Sequence, residues 1–183
     1  PQTLRPKAVP DVQAIVLPGS SATVPAAGNS SLTVEIGDVQ IQGAFADLAV
    51  ASEAVIAKVR YRKLSVAQIY AAASELERIY GDAGYPLVRI VVPPQNLIDH
   101  GQLRFLVVDG FIEAIDVDRV PARAQEAVAK RTAGLVGRRH LKLVEIERSL
   151  LIAGDVPGLK LRSTLERGSR EGGWQPPSGH PGR

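Results

Sequence analysis

The sequence predicts an α+β fold of two tandem units. Each is a small three-stranded mixed sheet covered by two helices, in the order strand, helix, helix, strand, strand (βααββ). Three observations predict it: short apolar segments that alternate with polar residues, a long segment with apolar residues at helical spacing, and an order of segments that begins again after Gly110. The chain of 183 residues is long enough for one ordinary domain or two small ones.

The composition excludes several classes of protein. Hydrophobic residues make up 45% of the chain and charged residues 22%, which is typical of a globular protein. The chain has no cysteine, which excludes disulfides, thiol catalysis and cysteine-ligated metal centres. No apolar run approaches the roughly 20 residues of a membrane-spanning helix. Residues 110–183 are the more basic half, which indicates an acidic partner or simply a solvated face.

The first strand follows a linker. Residues 1–31 contain five prolines among serine, alanine and glycine, and they predict a proline-rich linker with no regular element. Residues 32–109 form the first predicted unit. It begins with a strand over residues 32–41, where a slip in the alternation at Gly37-Asp38 indicates a β-bulge. The alanine-rich residues 48–59 predict a short helix.

The next helix has the clearest signal in the chain. Ser65 and Gln68 have the spacing of a capping box, in which each side chain satisfies a free backbone N–H of the first turn. Apolar residues then recur every three or four positions up to residue 80, and Gly81 ends the helix. The apolar face includes Ile69, Ala73, Leu76 and Tyr80.

Residues 84–95, GYPLVRIVVPPQ, predict a strand over Leu87–Val92 that lies at the edge of a sheet. Proline cannot donate a backbone hydrogen bond, so Pro93-Pro94 ends the strand and suits an edge position. A loop that contains Gly101 leads to the third strand over Leu103–Val108, which predicts a hairpin.

The second unit is predicted over residues 110–171. It has a strand over 111–120, helices over 124–136 and 143–156, and a strand over 158–167. The segments YGDAGYPLVRIVV and AGDVPGLKLRSTL mark the repeat. Since the glycine- and proline-rich end offers no third strand, the second unit is predicted to be truncated and residues 172–183 to be a flexible tail. Only Gly110 separates the units, which predicts a semi-rigid pair.

The two units, the junction VVDGFIEAIDV and the GYPLVRIVVPPQ segment together resemble POTRA (polypeptide-transport-associated) domains. More narrowly, they are similar to those of two-partner secretion transporters of the haemolysin-activator type. The resemblance implies the periplasmic, soluble part of an outer-membrane protein of a Gram-negative bacterium. It also implies two partners, a secreted exoprotein (adhesin or haemolysin-like) and a C-terminal β-barrel of the same protein. It implies no cofactor.

The predicted edge explains how such a module holds a client. In a βααββ unit the last strand pairs with both others, so the middle strand is left at an edge. An extended client can add a strand there through main-chain hydrogen bonds, which is β-augmentation. One alternate set of side chains, either Val88, Ile90 and Val92 or the set between them, is expected to face inward and close the sheet. The predicted client-binding edge is Leu87, Val88, Arg89, Ile90, Val91 and Val92, and the flanking helix contributes Ile69, Ala73, Leu76 and Tyr80 as the floor of the groove.

An alternative comes from another class of protein. Gly134–Gly137 has the GXXG pattern that clamps the nucleic-acid backbone in RNA-binding KH domains, and Arg138 and Arg139 follow it. The apolar residues between the two glycines suit burial better than phosphate contact, so nucleic acid is the less favoured partner. Arg138, Arg139 and Lys142 also form a basic patch that is expected to face the membrane or the barrel.

An enzyme is not predicted. The histidines at positions 100, 140 and 180 have no partner at metal-ligand spacing, so no metal site is expected. Glu145 and Glu147 lie two apart on a helix and face different sides, which excludes a paired acid and base. No phosphate-binding loop or nucleophile motif is present.

Overall fold

A computed structural model describes residues 15–17, 20–21, 32–117, 120–154, 166–167 and 173–175, with side chains described in 32–117 and 120–154. The elements of the leader and the first unit, in chain order, are β1 (Ile15–Leu17), β2 (Ser20–Ser21), β3 (Thr33–Gln42), α1 (Ala49–Val59), β4 (Lys63–Ser65), α2 (Val66–Asp82), β5 (Arg89–Val92), β6 (Gln95–Leu97) and β7 (Gly101–Val108). Those of the second unit are β8 (Phe111–Ile112), α3 (Ala122–Thr132), α4 (Leu143–Gly154), β9 (Glu166–Arg167) and β10 (Gly173–Gln175).

The main sheet has five strands in the order β2-β5-β7-β3-β4. Strand β7 lies between β3, with which it pairs in parallel, and β5, with which it pairs antiparallel. This confirms the α+β class and the expectation that the last strand pairs with both others. Strand β4 was not predicted, because three residues before a helix carry too little alternation to mark a strand.

Two local predictions are confirmed. The β3–β7 register shifts between Ile36 and Asp38, which places the bulge at Gly37. Any side chain there would collide with the chain, since an added Cβ lies 2.1 Å from the carbonyl oxygen of His100. The capping box of α2 is also present: Ser65 Oγ accepts from the Gln68 amide, and Gln68 Oε1 accepts from the Ser65 amide.

The first unit has one large core between the sheet and the two helices. Tyr70, Leu76, Tyr80 and Phe105 are among its largest fully buried side chains. The Tyr80 hydroxyl accepts a hydrogen bond from the Phe45 amide, so the polar end of this buried ring is satisfied. With few aromatic residues in the chain, the rest of the core is mainly valine, leucine, isoleucine and alanine.

The side chain of Gln95 supplies the hydrogen bonds that the two prolines before it cannot make. Pro93 and Pro94 cannot donate to a neighbouring strand. The buried Gln95 side chain takes over: its Nε2 donates to the Arg104 carbonyl at 2.9 Å, and its Oε1 accepts from the Arg104 amide at 2.9 Å. A side-chain amide thus replaces the strand pairing that β7 would otherwise lose at this position.

Replacing Gln95 by leucine is expected to destabilise the chain by about 1–3 kcal/mol, because Arg104 loses the partners of both its backbone groups. Urea denaturation measures this change in the free energy of unfolding. Asn96→Ala is the control, since Asn96 is the exposed neighbour in the same strand. Equal midpoints for Gln95→Leu and the control would show that the side-chain pairing contributes nothing.

The second unit contains the third strand that the sequence analysis expected to be missing. Strand β10 pairs in parallel with β8 and antiparallel with β9, so it has the central position that β7 has in the first unit. The prediction of a truncated unit followed by a flexible tail is therefore wrong for residues 173–175. Three residues among glycines and prolines carry no periodic signal, and only the pairing with β8 identifies them as a strand.

Other boundaries of the second unit also differ. The strand predicted over 111–120 is limited to Phe111–Ile112 among the described residues, and helix α3 ends at Thr132, before a 3-10 turn over Ala133–Leu135. Most of the strand predicted over 158–167 lies outside the described residues, and its last two residues form β9.

The leader is not free of regular structure, in contrast to the prediction for residues 1–31. Strand β1 pairs antiparallel with β6, and β2 pairs antiparallel with β5. Their partners lie about 70 to 80 residues away in the sequence. A short segment between prolines gives no sign of such a distant pairing, which explains why it was missed.

Candidate functional site

The predicted client edge divides into an inward and an outward set. Val88, Ile90 and Val92 are buried in the first core. Arg89 and Val91 are half-buried on the opposite side of the strand. Since the inward side chains are occupied with packing, this edge can offer a client only its backbone and the outward set.

Leu87 has a different position from the predicted one. It precedes β5, is buried, and packs in a second hydrophobic cluster with Ile112, Leu135, Leu141 and Ile146. Leu87 therefore joins the first unit to the core of the second and is unavailable to a client. The strand itself begins two residues later, at Arg89.

The backbone of β5 shows which groups face outward. The Ile90 amide donates to Glu77 Oε2 at 3.0 Å, so it points away from β7. In an antiparallel pair the amide and carbonyl of one residue point to the same side, and the side alternates along the strand. Ile90 and Val92 therefore present their backbone groups to the open side, whereas Arg89 and Val91 present theirs to β7.

Glu77 on α2 governs the start of the edge. Its carboxylate forms an ion pair with Arg89 in addition to accepting from the Ile90 amide. A cavity of about 320 Å³ lies beside these groups, between α2 and the segment before β5. Its lining residues are Ser74, Glu77, Arg78, Gly81, Tyr85, Pro86, Val88 and Arg89.

The predicted floor of the groove lies deeper than expected. Ile69, Ala73, Leu76 and Tyr80 are all fully buried in the first core. They hold α2 against the sheet and do not line an open surface. Other residues of α2 line the groove beside β5, namely Ser74, Glu77 and Arg78.

The chain's own leader covers part of this edge. Ser20 pairs with Val92 and Ser21 with Val91. Just beyond the two prolines, β1 pairs with β6 through Leu17 and Gln95. The edge on which the client was expected to add a strand thus already carries a strand from outside the βααββ unit.

The predicted basic patch lies at the contact between the two units. The Arg139 guanidinium donates to the Asp109 carbonyl and lies over the Phe111 ring, 4.3 Å from its centroid. Lys142 Nζ lies 5.2 Å from the centroid of the Tyr85 ring. Arg138 forms an ion pair with Glu145 on α4. These cations are engaged within the protein, which accounts for them without a membrane or a nucleic acid.

His140 completes this contact. Its ring stacks on Phe45 of the first unit, with 4.1 Å between the centroids. Its Nδ1 lies 2.9 Å from Asp109 Oδ2, and its amide donates to the same carboxylate. The Leu143 amide donates to the Gly84 carbonyl at 2.8 Å. The loop between α3 and α4 thus attaches the second unit to the first.

Two ionisable groups at this contact have shifted pKa values. The pKa of the Tyr85 hydroxyl is raised, first because it donates a hydrogen bond to Asp47 and then because it is partly desolvated. The pKa of Glu145 is lowered, first by the hydrogen bond from the Lys142 amide and then by the one from Arg138. Both shifts stabilise the protonation states present at neutral pH, which supports a structural role.

Part of the GXXG segment is engaged within the protein. Leu135 is buried in the second cluster, and the Gly137 amide donates to the Ile112 carbonyl at 2.9 Å. A KH-type clamp needs free backbone amides and free cations at this loop. In this chain the amide and the neighbouring arginines Arg138 and Arg139 are already bonded within the protein, so the structure argues against the RNA-binding alternative.

Sequence reasoning missed the polar residues that shape the edge. Glu77 lies on α2 next to the apolar face, and its partner Ile90 lies on another element. Gln95 was seen only as the end of a motif, and Asp109 only as part of the junction. A polar residue in a short loop between apolar segments can indicate a buried hydrogen bond. Which group it bonds to, however, depends on how distant strands pair.

Within the described ranges, no helix is long and apolar enough to cross a bilayer. The same residues contain no group of three or more side chains arranged to hold a metal ion.

Comparisons with known proteins agree with this geometry. The model of the family "POTRA domain, ShlB-type" matches residues 34–110. The chain is 24% identical over 112 residues to the heme/hemopexin transporter protein HuxB of Haemophilus influenzae (strain 86-028NP). That alignment covers 61% of this chain and 20% of HuxB.

Solved structures show the same fold. CdiB from Escherichia coli superposes with a TM-score of 0.63 at 20% identity, over 86% of this chain and 29% of CdiB. POTRA domains 1–3 of the periplasmic domain of Omp85 from Anabaena superpose with a TM-score of 0.52 at 16% identity, over 90% of this chain and 72% of that one. The chain thus spans about a fifth of HuxB and less than a third of CdiB. Residues 34–110 are therefore a POTRA domain of the ShlB type.

Proposed function

We propose that this chain is the periplasmic docking module of a two-partner secretion transporter of the outer membrane, and that it binds an unfolded secreted exoprotein by β-augmentation at β5. One observation carries the proposal: this edge already accepts a strand from outside the βααββ unit, since β2 pairs with Val91 and Val92. A backbone surface that pairs with Ser20 and Ser21 makes little demand on side-chain identity, as a client of unfixed sequence requires.

The relatives support the location and the partners. The Anabaena Omp85 domains are periplasmic by description, and HuxB is described as a transporter. The resemblance to transporters of the haemolysin-activator type leads us to propose a β-barrel of the same protein as a second partner. A docking role requires no catalytic group and no cofactor.

The proposed client position is tested by disulfide trapping, which is clean in a chain without cysteine. Val91→Cys places a thiol on the outward, half-buried side of β5. Single cysteines are introduced at successive positions of the N-terminal region of the secreted partner, and adducts are quantified after mild oxidation. We expect adducts at alternate client positions, because side chains of a paired strand alternate between the two faces of the sheet.

The matched control is Val50→Cys, a valine on α1 whose surface is 87% exposed. It reports random collision, and we expect few adducts there and no alternation. Equal adduct yields at the two positions, or a uniform yield along the client, would show that the client does not add a strand to β5.

A further inference from the structure

The two leader strands follow the edge of the first unit in one register. In both ladders the numbers of the paired residues add to the same value, as Ile15 with Leu97 and Ser20 with Val92 illustrate. If one ladder were shifted by one residue relative to the other, the two sums would differ. The side chains of one leader strand would then point to the opposite face of the sheet. The two leader strands therefore pair with β6 and β5 in a common register.

We propose that the leader strands β1 (Ile15–Leu17) and β2 (Ser20–Ser21) are an intrinsic occupant of the client edge, and that the exoprotein binds by displacing them. This inference rests on the proposed function, because it concerns the same edge, β5 and β6. The inference adds that the leader of the same chain competes with the exoprotein. It also predicts which residue types the bound segment of the exoprotein carries.

The pairing is short enough to be displaced. Strand β2 has two residues and β1 has three, and each net backbone hydrogen bond contributes modestly. The leader belongs to the same chain as its partner strands, and covalent linkage of two binding elements can raise the effective concentration of one at the other to the order of millimolar. A client that pairs over a longer stretch can exceed this. Among the described side chains, the first core draws only on residues 34–107, so it is expected to survive displacement.

The leader also indicates what a matching client segment contains. Ile15–Leu17, all apolar, lie opposite Gln95–Leu97. Two serines, Ser20 and Ser21, lie opposite Val92 and Val91. The edge is thus matched by an extended segment with three apolar residues, followed after two positions by small polar ones. We expect exoprotein segments of this pattern to bind more tightly than segments with bulky charged residues in the serine positions.

Backbone direction provides a pair of matched variants. Val92 presents its backbone to the leader, so Ser20 opposite it is in a hydrogen-bonded pair, whereas Ser21 opposite Val91 is not. Ser20→Pro removes a donor and places the proline ring between the strands. Ser21→Pro removes only an amide that faces away from β5, a position that an edge strand tolerates.

The first test is amide hydrogen exchange on the full chain without a client. We expect the Val92 amide to be protected in the unaltered chain, to exchange at least about tenfold faster in Ser20→Pro, and to be unchanged in Ser21→Pro, because only the former releases the tethered strand. The Val91 amide, which faces β7, is the internal control and stays protected in all three. Equal exchange of Val92 in all three chains would overturn the inference.

The second test uses a fluorescent peptide of residues 13–23, QAIVLPGSSAT, and measures its anisotropy with the full chain. We expect at least about tenfold tighter binding to Ser20→Pro than to the unaltered chain, because the tethered competitor is removed. The same peptide with proline in place of its first serine should not bind. Equal affinity for the unaltered chain and Ser20→Pro would show that the leader does not compete.

A covalent lock completes the test. Ser21 and Val91 are a non-hydrogen-bonded pair, whose Cα separation of about 4.5 Å suits a disulfide. Ser21→Cys/Val91→Cys is expected to bind no peptide when oxidised and to regain the unaltered affinity on reduction. Peptide binding by the oxidised chain would place the peptide site elsewhere and overturn the inference.

Failure of this inference and failure of the proposed function are distinguishable. Amide exchange and peptide binding involve no exoprotein and report only on the leader. Disulfide trapping at Val91→Cys reports only on the exoprotein. Protected Val92 without exoprotein adducts would leave the leader as an integral strand of the fold, which contradicts both. Exoprotein adducts with an unprotected Val92 would contradict the inference alone.

Discussion

Replacing Gly110 by alanine is expected to disrupt the junction between the two units. An added Cβ at this position lies 2.0 Å from the carbonyl oxygen of Leu87 and 2.9 Å from its Cβ. The contacted atoms are mainly backbone, which cannot change rotamer as a flexible side chain does. Residues 109–111 would therefore have to shift. Since Leu87 belongs to the core of the second unit, we expect that core to open and the free energy of unfolding to fall by about 1–3 kcal/mol or more.

Urea denaturation with two probes measures this effect. Trp174, the only tryptophan of the sequence, lies on β10 and reports on the sheet of the second unit. Far-ultraviolet circular dichroism reports on the whole chain. In Gly110→Ala the fluorescence transition should move to lower urea and separate from the dichroism transition.

Gly134→Ala is the matched control for Gly110→Ala. An added Cβ at Gly134 meets no atom of the described chain within 4 Å, so we expect an unchanged or slightly higher midpoint. Coincident and unshifted transitions in Gly110→Ala would show that the junction tolerates a side chain and that the units are not held by this close contact.

Replacing Phe105 by alanine is expected to have the largest effect on the first unit. Phe105 lies on the central strand β7 and is 1% exposed. Large-to-small changes of a buried aromatic residue typically cost about 3–5 kcal/mol, from the lost transfer free energy and the cavity that remains. In a domain of this size such a loss is a large fraction of the total stability.

Thermal and urea unfolding of Phe105→Ala measure this loss, and Val50→Ala is the control. Val50 is 87% exposed on α1, and alanine is the better helix former there, so we expect an unchanged or slightly raised stability. A loss below about 1 kcal/mol in Phe105→Ala would mean that the site collapses around the smaller residue.

Local signals in the sequence predicted much of the fold correctly. The capping box of Ser65 and Gln68 and the bulge at Gly37 depend on residues that are close in sequence. The helices α1 and α2 were predicted to within a few residues of their observed bounds. The central position of β7 followed from the βααββ order. In each case the cause is local periodicity or local hydrogen bonding, which the sequence displays directly.

The candidate site was predicted less completely. The sequence identified β5 as the outer strand of the βααββ unit, but it did not identify the leader strand β2 that lies beyond β5 in the sheet. It did not identify Leu87 as a link to the second unit, or the fully buried position of Leu76 and its neighbours on α2. Apolar periodicity indicates that one face of an element is buried, but it does not show which helix, strand or unit packs against that face.

The βααββ order of the first unit, the helix starts and the bulge could be predicted from the sequence, because they follow from residues a few positions apart. Other features depend on the folded chain. The leader strand β2 pairs with β5, and Glu77 accepts from the Ile90 amide of that strand. Gln95 bonds both backbone groups of Arg104 on β7. Arg139 and His140 join the two units. These contacts link residues that are 9 to 95 positions apart, from Gln95 with Arg104 to Phe45 with His140. Their formation depends on which backbone donors and acceptors remain unpaired once the sheets have formed, and that property belongs to the folded chain.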